Sequence, residues 1–142
     1  KINEKNGRDP SLMFLNGIYY LSYCSGNAVK TATSKDLANW TEPVEIYNGE
    51  VALYQCESPT LIRNNDKFYL FWCLWNEVLP GHGERTFVYC LNNPLDFHGQ
   101  ALITELTAHA PEIIKGEDGD RRYISSTQYP RCGINVDRLE WK

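Results

Sequence analysis

Three times along the chain a short apolar run opens on a proline, passes through a turn pair and returns as an aromatic run. Pro10-Ser11-Leu12-Met13-Phe14 leads through Asn16-Gly17 into Ile18-Tyr19-Tyr20-Leu21, and Pro59-Thr60-Leu61-Ile62 leads through Asn65-Asp66 into Phe68-Tyr69-Leu70-Phe71-Trp72. The third copy runs from Pro111-Glu112-Ile113-Ile114 through Asp118-Gly119 to Arg122-Tyr123-Ile124. Proline lacks an N–H and so enters a strand at its start or at an edge. The Asn-Gly, Asn-Asp and Asp-Gly pairs accept the positive φ of a tight hairpin. Each copy therefore predicts an antiparallel hairpin. A third strand is predicted after each, over 28–33, 85–90 and 132–136, closed by a Leu and then an aromatic: Leu37 and Trp40, Leu95 and Phe97, Leu139 and Trp141. A fourth is readable over 43–47 and 101–103.

Pro10, Pro59 and Pro111 stand 49 and 52 residues apart, at the upper end of the roughly 40 to 50 residues that one propeller blade occupies. The expected fold is all-β: blades of antiparallel strands, in repeats spanning 8–50, 51–106 and 107–142. A β-sandwich would also give short strands, but it would not repeat a proline-to-tyrosine interval of 10, 10 and 12 residues. Propellers close with about four to eight blades. Three blades therefore imply either a part of a larger propeller, with blades missing upstream, or closure by self-association.

Composition narrows the partners. The 142 residues include four Trp, nine Tyr and five Phe, which favours strands and a surface able to stack on flat ligand faces. A net charge of −4 with no basic stripe argues against nucleic acid. No apolar run approaches the roughly 18 residues of a membrane helix, so no membrane partner is expected. The five cysteines form no C-x-x-C pair, and their odd number tilts the expected compartment towards a reducing cytoplasm without settling it. Cys24, Cys73 and Cys90 end strand-like runs and read as small buried hydrophobes.

In a propeller the innermost strands start at one mouth of the central channel, so the residues before each proline converge: Arg8 and Asp9, Glu57 and Ser58, His109 and Ala110. Carboxylates, a guanidinium and an imidazole in one funnel suit acid–base work on a hydroxyl-rich substrate. Trp75 and Tyr54, near strand ends, are candidates for a sugar-stacking platform, whereas Trp72 alternates within its strand and reads as core.

Arg8-Asp9-Pro10, Glu57-Ser58-Pro59 and His109-Ala110-Pro111-Glu112-Ile113-Ile114 occur in order with Ser34-Lys35-Asp36-Leu37-x-x-Trp40 and the terminal Leu139-Glu140-Trp141. Together they resemble the last three blades of the five-bladed propellers of glycoside hydrolase families 32 and 43. The resemblance implies a carbohydrate partner and enzymes that cleave furanosides and xylosides such as fructans, arabinans and xylans. It makes Glu57 the proton donor and Asp9 the auxiliary carboxylate, with Arg8 binding sugar hydroxyls or orienting Asp9 and His109 as a further substrate contact. It places the nucleophile or base in an earlier blade, outside this chain. No cofactor is expected: family 43 often uses a histidine near its channel ion, a calcium in this setting, and His109 is at a comparable place, but one imidazole is not a metal site. The alternative is a non-catalytic carbohydrate-binding or self-associating propeller module.

Overall fold

The computed structural model describes residues 2, 4–48, 55–75, 85–97, 102–117, 119, 122–127 and 133–141. Three antiparallel sheets follow one another along the chain. The first is β1 (Gly7–Leu15), β2 (Ile18–Ser25), β3 (Ala28–Ser34) and β4 (Val44–Asn48), hydrogen-bonded in that order. The second is β5 (Gln55–Asn64), β6 (Lys67–Trp75), β7 (Thr86–Leu91) and β8 (Leu102–Leu106). The third has three strands, β9 (His109–Lys115), β10 (Arg122–Thr127) and β11 (Ile134–Leu139). Strand β1 packs on β5 and β5 on β9, so the proline-headed strand of each sheet is innermost, as propeller blades require.

Local chemistry explains the hairpins. Asn16 and Gly17 both take positive φ, 51° and 79°, the combination a type I′ turn demands between right-twisted strands. Asn65 does the same at 53° in the second hairpin. The third strand of the last sheet differs from expectation. It runs 134–139 rather than 132–136 because β10 sets its register, with Ile134 opposite Thr127 and Leu139 opposite Arg122. Cys132 lies outside the described residues.

The middle blade is buried on both faces, which is why β6 reads as the near-continuous apolar run Phe68-Tyr69-Leu70-Phe71-Trp72-Cys73-Leu74 rather than as an alternation. Phe68, Leu70 and Trp72 face the first blade and pack with Cys24, Val29 and Ile46. Phe71 faces the third blade with Ile62 and Val88, beside Tyr69, Ile113 and Trp141. Trp72 stacks on Phe87 at 4.9 Å and lies 4.7 Å from the ring of Tyr47, which makes it core, as expected. The closing aromatics also serve the seams: Phe97 is 1% exposed and its N–H donates to the Ile46 carbonyl at 3.1 Å, while Trp141 lies against Tyr69 at 4.3 Å. The outward faces remain apolar and exposed, at Leu12 and Phe14 in β1, Ile114 in β9, and Ile134 and Val136 in β11.

The segment entering β1 is tied down by Glu4. Its carboxylate accepts from Lys30 Nζ at 3.0 Å, Ser25 Oγ at 3.1 Å and the Tyr23 hydroxyl at 3.4 Å. The Lys30 and Ser25 hydrogen bonds hold the Glu4 carboxyl below its ordinary value of 4.5, and burial, helped by the Glu4 charge, pushes the Tyr23 phenol up to about 12.

Two outcomes follow from this packing. Leu70, fully buried between blades, costs about 2–5 kcal/mol when cut to alanine, whereas Leu12→Ala on the open face stays within about 0.5 kcal/mol, both read from urea unfolding. Because the carboxyl of Glu4 is depressed in the fold, its stabilisation is complete above pH 4.5 and is lost as pH falls through its lower folded value. The stability gap between wild type and Glu4→Gln at pH 6 should therefore close on acidification below that point, and a gap that persists unchanged at pH 3 would contradict the tether.

Candidate active site

The same backbone device heads all three inner strands. Asp9, Ser58 and Ala110, each the residue before a proline, have φ of 53°, 47° and 51°. Left-handed backbone costs a non-glycine residue roughly 1–2 kcal/mol, and the preceding position of proline is already barred from the right-handed helical region. At each of these places the ladder skips. Register passes from Arg8↔Cys24 to Ser11↔Ser22, from Glu57↔Cys73 to Thr60↔Phe71, and from His109↔Thr127 to Glu112↔Ser125. Two residues thus oppose one, a β-bulge, and the proline takes the position where the ladder asks for no N–H. Bulges re-aim side chains. These three bring Arg8 and Asp9, Glu57 and Ser58, and His109 and Ala110 to one end of the inner strands.

The contacts there cross from blade to blade. Asp9 Oδ2 accepts the N–H of Ser58 at 3.1 Å, so a carboxylate of the first blade satisfies the bulge of the second, next to Glu57. Arg8 donates through Nη2 to the Cys56 carbonyl at 2.8 Å and to Gln55 Oε1 at 3.1 Å, with Nε 3.8 Å from Asp9 Oδ2. It therefore spans the residues that lead into Glu57. Glu57 Oε2 in turn lies 3.5 Å from Nε2 of His109, with side chains 25% and 21% exposed. That leaves both groups within reach of solvent yet mostly shielded, a setting in which charges interact more strongly than at an open surface.

Beneath this mouth lie thiols. Cys24, Cys56 and Cys73 are buried, and burial pushes all three up, Cys56 to about 12, so they stay protonated and add no charge. The reading of Cys24 and Cys73 as small buried hydrophobes fits their exposure, whereas Cys90, read the same way, is only half-buried; Cys73, moreover, does more. Its Sγ accepts the N–H of Ala110 at 3.1 Å, the third bulge. Nothing in the sequence marked that contact; only its place opposite Glu57 in the hairpin register could have drawn attention to it.

Of the remaining expectations, Tyr54 lies outside the described residues, and of Trp75 only the backbone is described, opposite Gln55 at the end of β6. Glu4 is engaged by Lys30, Ser25 and Tyr23. Among the described residues no group of three His, Cys, Asp or Glu side chains gathers near His109.

No family profile matches the sequence, and no curated protein matches it. Solved structures do match. An exo-β-1,3-galactanase from Phanerochaete chrysosporium, with galactose, superposes at a TM-score of 0.79 and 14% identity, covering 94% of this chain and 35% of that one. A β-1,3-galactosidase of glycoside hydrolase family 43 gives 0.73 at 14% identity, covering 95% and 58%. The arabinanase of Bacillus subtilis gives 0.67 at 15% identity, covering 94% and 51%. The chain thus spans between about a third and somewhat over half the length of these neighbours. At such identities the likeness is one of fold: the three sheets follow the β-propeller architecture of these neighbours, glycoside hydrolases of family 43 whose propellers have five blades.

Proposed function

We propose that the chain is the acid-bearing part of a glycoside hydrolase propeller, with Glu57 as the proton donor to the leaving oxygen and Asp9 as the auxiliary carboxylate. The observation that carries this reading is the pair of equivalent bulges on neighbouring inner strands. They set both carboxylates at one mouth and join Asp9 to the N–H of Ser58, the residue after Glu57. Glycoside cleavage needs a carboxylic acid beside the scissile bond and a second carboxyl group across it, through an oxocarbenium-like transition state. Glu57 supplies the first. The reading leaves the nucleophile or base to a residue outside this chain. Asp9 orders the backbone at Glu57 and offers its other oxygen to sugar hydroxyls, while Arg8 orients Asp9 and holds the strand leading into Glu57.

The substrate class we infer is a furanoside or xyloside of arabinan, xylan or fructan type. The arabinanases among the structural neighbours support the arabinan member, and the galactanases add β-1,3-linked galactan as a further substrate to test. Glu57→Gln should lower kcat on aryl arabinofuranosides, xylosides or galactosides by about 10²–10⁴, measured with the chain and with any blades that complete its propeller. Hydrolysis that is unaffected by this substitution would remove Glu57 from the role.

A second reading, a non-catalytic carbohydrate-binding or self-associating module, is favoured by the exposed faces at Leu12, Phe14, Ile134 and Val136. Light scattering at rising concentration should then report assemblies larger than 16.4 kDa, and a strict monomer counts against the associating form.

A further inference from the structure

His109 is clamped by the blade that carries Glu57. Thr86 Oγ1 donates to the carbonyl of Ala108 at 2.8 Å, and Cys73 Sγ accepts the N–H of Ala110 at 3.1 Å, so the residues on either side of His109 are both held from the second blade. The hydrogens of this network are determined by counting. A hydroxyl has one proton, and that of Thr86 is given to Ala108, so in the 3.3 Å contact between Cys73 Sγ and Thr86 Oγ1 the thiol is the donor. That requires a neutral thiol, which burial of Cys73 favours. From its own blade His109 receives a third restraint, with its carbonyl accepting from Thr127 Oγ1 at 3.4 Å. Cys73 is also the cross-strand partner of Glu57. Glu57, Cys73, Ala110 and His109 therefore form a closed ring that ends in the 3.5 Å approach of Glu57 Oε2 to His109 Nε2.

We propose that Glu57 and His109 hold one proton between them, with Cys73 as the positioning residue that sets their contact, and that His109 returns to Glu57 the proton each turnover removes. The catalytic half of this inference rests on Glu57 being the acid; the shared proton does not. The balance is simple. Glu57 gives the shared proton to the leaving oxygen and becomes a carboxylate beside a neutral imidazole; His109 Nε2 then takes up the proton that the hydrolysing water releases to solvent and passes it to Glu57 Oε2, which restores one proton to the pair. Among the described residues, the charged and titratable groups facing the pair are compatible with it. On β1, Arg8 is turned to Cys56 and Gln55 and Asp9 to the Ser58 N–H; on β6 and β7, Cys73 and Thr86 are neutral; on β10, Thr127 is neutral. Glu112 is exposed on the far side of Pro111.

The test is a pH titration of the 142-residue chain by NMR, following the His109 ring and the Glu57 carboxyl carbon. Two groups sharing a proton titrate in two macroscopic steps seen at both nuclei. Glu57→Gln should leave a single step at His109, and His109→Gln a single step at Glu57. Cys73→Ala should lose the shared steps while Cys73→Ser retains them in part. If Cys73→Ala does not fold, Thr86→Val breaks the same network above it and should give the same loss. Independent single-step curves in the wild type, or curves unmoved by removing the partner, overturn the pair. Shared steps that survive both Cys73→Ala and Thr86→Val overturn the role of Cys73. The acid assignment stands apart from all of these, because it is read from turnover of Glu57→Gln and not from the titration.

Discussion

At the head of every inner strand a proline withholds the N–H that a regular ladder would use, and the residue before it is driven into left-handed backbone. Everything at the mouth depends on that displacement. A regular strand would carry Asp9, Ser58 and Ala110 in simple alternation, and their N–H groups would point along the ladder. The bulge instead frees the N–H of Ser58 and of Ala110, and each is satisfied from the preceding blade, by the carboxylate of Asp9 and by the thiol of Cys73. Strain of this kind persists only where its surroundings over-determine it. Here the proline, the cross-blade acceptor and the skipped register all act on the same residue.

The cross-blade bonds also explain why blade order and chemistry are inseparable in this chain. Arg8 reaches the Cys56 carbonyl, Thr60 Oγ1 reaches the Pro111 carbonyl, and Arg122 reaches the Arg63 carbonyl. The first two secure one inner strand to another, and the third ties β10 of the last blade to the inner strand β5. The apolar seams on the two faces of β6 supply the bulk of the attraction between blades, being non-directional and proportional to the area removed from water. The polar bonds add the register that such attraction lacks. A carboxyl on one strand and an imidazole on the next can then be held at a defined separation by a core that is otherwise only well packed.

Much of this is legible in the sequence. The proline period, the Asn-Gly and Asn-Asp turns and the aromatic return strands carry the blade assignment, because turn geometry and side-chain alternation are local. The convergence of Arg8, Glu57 and His109 followed from the repeat, since equivalent positions in stacked blades must share one end of the channel. What stayed hidden was long-range and small. A cysteine at the end of an apolar run looks the same whether it merely fills space, as Cys24 does, or clamps the neighbouring bulge, as Cys73 does. The shift of the last strand to 134–139 was likewise invisible, because register in that blade is decided by pairing to β10.

By itself, then, the sequence determined the strands, the turns, the repeat and which residue types would meet at the mouth, all of them consequences of dihedral preference and periodicity. Only the tertiary structure decided which partners those residues take: Asp9 for the Ser58 N–H, Arg8 for the Cys56 carbonyl, Cys73 for the Ala110 N–H, and His109 for Glu57. The reason is physical. These contacts join residues 37 to 52 positions apart, and their geometry is set by how one twisted sheet packs on the next, a quantity no local stretch of chain encodes.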